Sequence, residues 1–216
     1  MKLTIVYDNE IYKKYIGLKS DWGFSCLIDT KDDKILFDTG AKGEILLDNM
    51  EKLDINPEDI SKIVISHEHW DHNGGLENLV SFVKDVELFR LVQKTPAKNI
   101  NIFKIDNPIK LTDEVYTTGK LKGSPVDEQS LVLQGKKGLY ILAGCSHPSV
   151  KTIIDAAKQY GNIVGLIGGL HGFDNFTLLE KLNFVCACHC TKHKKKIHKL
   201  YPKISTKGGV GKKLEI

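Results

Sequence analysis

The stretch "ISHEHWDHNGGL" (residues 65–76) puts His67, His69 and His72 beside Asp71 and Glu68 within six positions. The whole chain has eight histidines, so three in one short run call for a chemical reason. On an extended segment, residues i and i+2 share a face, and the imidazoles of His67 and His69 can converge on one cation. Asp71 and His72, next along, can turn toward a second. Zinc takes histidine nitrogen at about 2.0–2.1 Å and carboxylate oxygen at about 2.0–2.2 Å. A two-metal site needs its ions about 3.5–4 Å apart, and one short loop can meet both limits. Such a pair acidifies water and polarises phosphoryl or carbonyl oxygen, which is the chemistry of ester and phosphoester hydrolysis. The plainer reading, a polar loop with unrelated histidines, leaves the regular spacing unexplained.

Other candidates follow later strands. His147 in "GCSHP", His171 in "GGLHGF" and His189 in "CACHCT" each come directly after an apolar run. His171 has the glycines around it that let a substrate approach the backbone. It could be a ligand, an acid–base group, a substrate contact or a satisfied turn histidine. Cys145 could be a bridging thiolate, a group behind the ligands or a small buried hydrophobe, the commonest fate of a free cysteine. Asp127 and Glu128 in "SPVDEQS" could supply a carboxylate or form a solvated turn. "CACHC" does not have the C-x2-C spacing of structural zinc sites. Alternate residues of a strand share a face, so Cys186, Cys188 and Cys190 are expected to point together into the core, with His189 opposite.

The elements that must position these groups interleave from end to end. "LTIVYD", "FSCLIDT", "KILFDTG" and "SKIVIS" read as strands, and "TKDDK" as a hairpin turn. "KGEILLDNMEKLDI" and "GGLENLVSFV" have helical spacing, and Pro57 opens a short helical turn. In the second half "VELFRLVQ", "NIFKID", "VYTTG", "NIVGLIGG", "FVCACHCT" and "KLEI" read as strands. "QSLVLQGKKGLYILAG" reads as a hairpin, and "SVKTIIDAAKQYG", "NFTLLEKLN" and "KHKKKIHKLYP" as helices, the first closed by Gly161. This interleaving, with hairpins in both halves, predicts an α/β four-layer αββα sandwich in one domain spanning residues 1–216.

Composition bounds the rest. The chain has 216 residues, 41% hydrophobic and 27% charged, which suits a folded domain with a substantial core. A formal charge of +4 is too small to imply nucleic acid. Lys192, Lys194, Lys195, Lys196, Lys199 and Lys203 form a basic run, but no aromatic residues interleave with them as single-strand binding requires. The run reads as a solvated helix face, or as a field that steers a phosphorylated substrate. No apolar run approaches the roughly 20 residues of a membrane span. An odd cysteine count with three in "CACHC" is unlike a disulfide framework, so a cytoplasmic location is expected.

"SHEHWDHNGGL" resembles the HxHxDH signature of the metallo-β-lactamase superfamily, and "LFDTG" resembles that superfamily's early strand. The segments "GCSH", "GGLHGF" and "HCT" are similar to one branch of metal-dependent hydrolase-like proteins. That branch includes the dihydropterin-6-yl-methyl-(ribofuranosyl)aminobenzene 5′-phosphate synthases. The resemblance covers essentially the whole chain. It implies the metallo-β-lactamase fold and two divalent metal ions, zinc first, with iron, manganese or magnesium as alternatives. It implies His67 and His69 as ligands of the first ion, and Asp71, His72 and His189 as ligands of the second. Asp38 would orient a ligand from behind, against the simpler reading of a turn aspartate. Many members carry a histidine before the second-half hairpin and a bridging aspartate after it. This chain has "SPVDEQS" and Cys145 there, and His147 is the natural substitute for the missing ligand.

The expected activity is therefore a dinuclear metal-dependent hydrolase acting on a small, phosphorylated substrate, with Asp71 and His171 as catalytic groups. Two other functions fit the same ligands. One is a transferase that displaces diphosphate from a pterin by an aromatic carbon. The other is a non-catalytic metal-binding protein.

Overall fold

A computed structural model of the chain describes residues 1–12, 17–94 and 100–216. Two seven-stranded sheets carry the fold. The first uses β1 (Lys2–Tyr7), β2 (Ser25–Asp29), β3 (Lys34–Phe37), β4 (Lys62–Val64), β5 (Glu87–Arg90) and β6 (Asn101–Lys104). The second uses β7 (Ile109–Lys110), β8 (Val115–Thr117), β9 (Leu131–Gly135), β10 (Gly138–Ala143), β11 (Ile163–Gly169), β12 (Phe184–Cys188) and β13 (Ser205–Lys207). The last strand, β14 (Lys213–Glu215), returns to the first sheet and pairs antiparallel with β1.

Both sheets have the same plan. In the first, β14, β1, β2 and β3 pair antiparallel, and β3, β4, β5 and β6 run parallel. In the second, β7 to β10 pair antiparallel and β10 to β13 run parallel.

Period-2 alternation sorts the apolar residues into three buried layers. Ile35 and Phe37 face the second sheet, where Leu133, Leu142, Ile167, Cys186 and Cys188 meet them. Leu36 and Ile63 face outward, under α1 (Gly43–Lys52) and the one-turn α3 (Leu76–Leu79). Ile141, Leu166 and Val185 face outward under α4 (Val150–Ala157) and α5 (Lys194–Leu200). The result is the expected αββα sandwich.

Several elements depart from the spacing-based reading. "GGLENLVSFV" keeps its helix only over Leu76–Leu79, after which Phe82 N–H bonds back three residues to Leu79. "NFTLLEKLN" is a 3-10 turn over Phe176–Lys181, with Leu182 N–H donating to the Leu179 carbonyl. An i, i+3 apolar pattern serves either winding. β7 and β13 are short strands whose sequences have no apolar alternation. Among the described residues, no helix is long and apolar enough to cross a membrane.

Candidate metal centre

The carboxyl ends of β4, β10, β11 and β12 meet between the sheets, and His67, Cys145, His147, His171 and His189 all lie just beyond them. His69 is extended (φ −74°, ψ 146°) and caps α2 (Trp70–Asn73), the single helical turn that carries Asp71 and His72. The extended part sets the His67 and His69 rings at one place, and the helical turn swings Asp71 and His72 to another. Four overlapping groups of ligand-type atoms result among the described residues. Two contain no cysteine: His67, His69 and His147 form one, and Asp71, His72 and His189 form the other, each with its atoms within 4.8 Å. Glu68 turns away, where Arg90 Nε and Asn73 Nδ2 donate to it at 3.1 and 3.0 Å.

Hydrogen bonds fix which ring nitrogen faces inward. Asp38, fully buried, accepts from the Ser66 N–H (2.7 Å) and hydroxyl (2.8 Å) and lies 2.7 Å from His72 Nδ1. With its proton given to Asp38, the Ser66 hydroxyl can only accept from His67 Nδ1, 2.9 Å away. One carboxylate thus holds both histidines with their Nε2 lone pairs inward. Burial pushes the Asp38 carboxyl up and the His72 imidazole down, and burial with the neighbouring histidines keeps His67 neutral. Asp38 sits at a turn, with φ 58°, and its carboxyl is taken up by Ser66 and His72. Gly144 leaves room for the arrangement, since a side chain there would strike Ser66 Oγ.

His189 is oriented from the opposite end of the chain. Asn9 Oδ1 lies 2.8 Å from His189 Nδ1, and Asp8 accepts the His189 backbone N–H at 3.0 Å. Asp71 Oδ2 receives the Trp22 indole N–H at 2.8 Å. Burial works against ionisation of Asp71, but His189 and His72 beside it hold its carboxyl below the usual range.

The donor set suits a divalent ion on an observation independent of any relative. His147 Nε2 is buried without a hydrogen-bond partner in the first group, and in the second His189 Nε2 lies 3.3 Å from Asp71 Oδ2 without good hydrogen-bond geometry. His67 Nε2 lies 3.0 Å from His69 Nδ1, a hydrogen bond in which the His69 N–H donates when His67 carries its proton on Nδ1. These are residue types and spacings that could hold a metal ion.

The remaining candidates separate cleanly. His171, exposed and at φ 45°, belongs to neither group; its ring centroid lies 5.2 Å from that of His147. It lines an open cleft of about 350 Å³ beside His147, with Ser124, Phe173 and Asn175. Asp127 pairs with Lys122 at 2.8 Å and is no part of the cluster. Glu128 is not a ligand or a solvated turn either. It is fully buried, and it accepts the N–H groups of Gly144, Cys145 and Ser146 on Oε1 (3.1, 2.9 and 3.1 Å) and of His147 on Oε2 (2.8 Å). Burial pushes its carboxyl up to about 7 against those four donors.

The expectation for the cysteines needs correction. Cys186 and Cys188 lie in the inter-sheet core, but Cys190 does not. β12 ends at Cys188 and His189 takes a left-handed φ of 45°, which breaks the strand alternation and turns Cys190 toward Cys145 and His189. The Cys190 thiol beside it, together with burial, pushes the Cys145 thiol up. All five cysteines are free. The lysines of α5 do not line the cleft: Lys194 bonds Glu10 at 3.0 Å and Lys196 lies 4.8 Å over the Phe176 ring.

Asn9, Ser66 and Trp22 were not readable as site residues, and Glu128 was readable only as a possible carboxylate ligand, not as the acceptor of four backbone N–H groups. Each is a single polar or aromatic residue at a strand end, and only Asn9 and Glu128 carry even the weak signal of a polar pair directly after or before a strand.

A profile of the metallo-beta-lactamase superfamily matches residues 23–156. The chain is 29% identical over 243 aligned positions to the 7,8-dihydropterin-6-methyl-4-(beta-D-ribofuranosyl)-aminobenzene-5'-phosphate synthase of Methanocaldococcus jannaschii, covering 81% of this chain and 82% of that one. Among solved structures, Tm1679, a metal-dependent hydrolase of the beta-lactamase superfamily, matches with a TM-score of 0.80 and 22% identity over 100% of this chain and 99% of that one. The metallo-beta-lactamase fold protein YhfI of Bacillus subtilis matches with a TM-score of 0.69 and 15% identity over 99% of each chain. At these identities the two structures speak for the fold alone.

Proposed function

The chain belongs to the metallo-beta-lactamase superfamily, and from that premise we propose that it is a metal-dependent hydrolase of a phosphoester or related ester. His67, His69 and His147 would hold one divalent ion, and Asp71, His72 and His189 a second. The observation that carries this reading is the two cysteine-free three-residue groups, with the buried His147 Nε2 lacking a hydrogen-bond partner in one and His189 Nε2 lying 3.3 Å from Asp71 Oδ2 in the other. When bound, such ions supply Lewis acidity toward phosphoryl or carbonyl oxygen and acidify water near neutral pH. Asp71, kept ionised by His189 and His72, would orient the attacking water by accepting its hydrogen bond. His171 faces the cleft and would take the proton that water releases and deliver it to the leaving oxygen. Asp38 and Asn9 keep the histidine nitrogens aimed, so that binding requires no tautomer change.

A second reading has a specific observation in its favour, the 29% identity to the synthase named above. In it, the same centre holds a diphosphate leaving group while an aromatic carbon attacks a dihydropterin methyl carbon, and diphosphate departs. The test is protein purified without chelator, assayed for metal and then for turnover. Two equivalents of metal and chelator-sensitive hydrolysis of bis(p-nitrophenyl) phosphate are expected. Diphosphate release that requires a ribofuranosylaminobenzene phosphate acceptor, with no hydrolysis, would replace the first reading by the second. Metal without either activity would leave a metal-binding protein.

A further inference from the structure

A second cavity, also of about 350 Å³, opens between α5 and the parallel edge pair β12 and β13, and it is more enclosed than the cleft beside His147. None of its residues belongs to the histidine groups or lines that cleft. Lys194 and Lys195 reach it from the helix and Thr206 and Lys207 from the strand, while Ala187 and Ile197 supply an apolar wall.

Positive charge here exceeds the acid that could meet it. Among the described residues Glu10 is the one carboxylate lining the cavity, and Lys194 takes it at 3.0 Å. Lys195 and Lys207 form no ion pair among the described residues, and residues 13–16 and 95–99 contain no acid. Lys212 is only 9% exposed, yet it too has no carboxylate partner among the described residues. Its ammonium donates to Thr206 Oγ1 at 3.1 Å and lies 4.0 Å from the centroid of the Tyr12 ring. A buried charge without an opposite one is costly. Because Thr206 Oγ1 accepts from Lys212, its own proton is free to donate to a ligand. The other polar pair, Ser205 and His198, bond each other at 2.9 Å. The side chains thus leave donors open and no carboxylate unengaged, which suits a group with several anionic oxygens.

We propose that this cavity binds an organic phosphate monoester. Its dianion lies between Lys195 and Lys207, a third oxygen accepts from the Thr206 hydroxyl, and its carbon skeleton covers Ala187 and Ile197. The two negative charges offset the lysine excess, including Lys212 next to Thr206. A cavity of this size takes a small molecule, whereas a nucleic-acid strand needs a groove with aromatic platforms. The ligand is separate from the substrate of the proposed reaction, and the site does not depend on the metal reading.

Isothermal titration of the chelator-treated full chain with phenyl phosphate at about pH 8 reads this site with no metal present and with the ester as a dianion. One equivalent is expected to bind, more tightly than inorganic phosphate, which leaves the apolar wall uncovered. Lys195→Gln and Lys207→Gln should each weaken binding by about tenfold, the worth of one hydrogen bond to a charged group. Both lysines are exposed, so the variants should fold. Lys199→Gln, on the same helix but outside the cavity, should leave binding unchanged. No binding, equal affinity for the two probes, or an equal effect of all three substitutions would overturn the proposal, the last by showing general attraction to a basic surface. An RNA oligonucleotide that displaces the ester would overturn it too, by making the surface a nucleic-acid site. On the unaltered chain, phenyl phosphate should protect Lys195 and Lys207 from acetic anhydride, read by peptide mass. Equal acetylation with and without the ester would also refute the site.

Discussion

Replacing Glu128 by alanine should loosen the loop that carries Cys145 and His147 more than any surface change can. Four buried N–H groups, of residues 144 to 147, donate to this one carboxyl at 2.8–3.1 Å. A buried donor left unpaired costs about 1–3 kcal/mol. Water entering the vacated space would satisfy some of the four, so a loss of about 4 kcal/mol is expected, a large share of the roughly 5–15 kcal/mol that holds a domain together. Glutamine keeps three acceptor contacts and turns an amide N–H on the His147 N–H, costing about 1–3 kcal/mol. The pH dependence has a definite sign. Burial raises the folded pKa from 4.5 to about 7, so the folded chain binds the extra proton in that interval. The stabilisation that proton provides is complete below the unfolded value and is lost as pH rises through 7, by at most about 3 kcal/mol. Glutamine has no such proton, so its deficit should be widest near pH 5 and should close near pH 8. Urea denaturation of chelator-treated protein at both pH values reads these differences without interference from metal. A loss under about 1 kcal/mol in the alanine variant would refute the claim that this carboxyl holds the loop. So would a glutamine deficit that grows with pH.

Asp38→Ala should weaken zinc binding by about 10–100-fold by releasing the tautomers of His72 and His67, as isothermal titration would show. His72→Ala or His189→Ala should each reduce bound metal by about one equivalent, with full stoichiometry in both pointing to a single ion. Asn9→Ala removes the acceptor on His189 Nδ1 and should lower affinity for one of the two equivalents by about tenfold, leaving the other unchanged. Replacing Lys194, Lys195 and Lys196 by glutamine should leave KM and kcat for a phosphorylated substrate unchanged at low salt. Lys194 and Lys196 are engaged by Glu10 and Phe176, and none of the three lines the cleft. A salt-sensitive rise in KM would restore electrostatic steering.

The metal-type groupings were legible because histidine is scarce and its spacing in "HEHWDH" matches a strand followed by a helical turn. The layering was legible because strands such as "KILF" alternate faces strictly. Of the supporting groups only Asp38 was, through "LFDTG". Asn9 reaches His189 across 180 positions, and Glu128 reaches four backbone groups 16 to 19 positions away. Neither contact leaves a period in the sequence. Cys190 was misread because alternation was extended one residue past the true end of β12. The break is a backbone conformation, and a histidine's single-letter code does not reveal a positive φ.

The pairing of Asp8 and Asn9 with His189, and of β1 with β14, ties the two ends of the chain together at the centre. This sets an order of events during synthesis. The "HEHWDH" loop emerges well before His189 and before the strand that closes the first sheet. A nascent chain therefore offers four exposed donors without the partners that complete either group. A fold of such long-range contacts forms slowly, and stalling synthesis before His189 emerges should leave the "HEHWDH" loop without that partner.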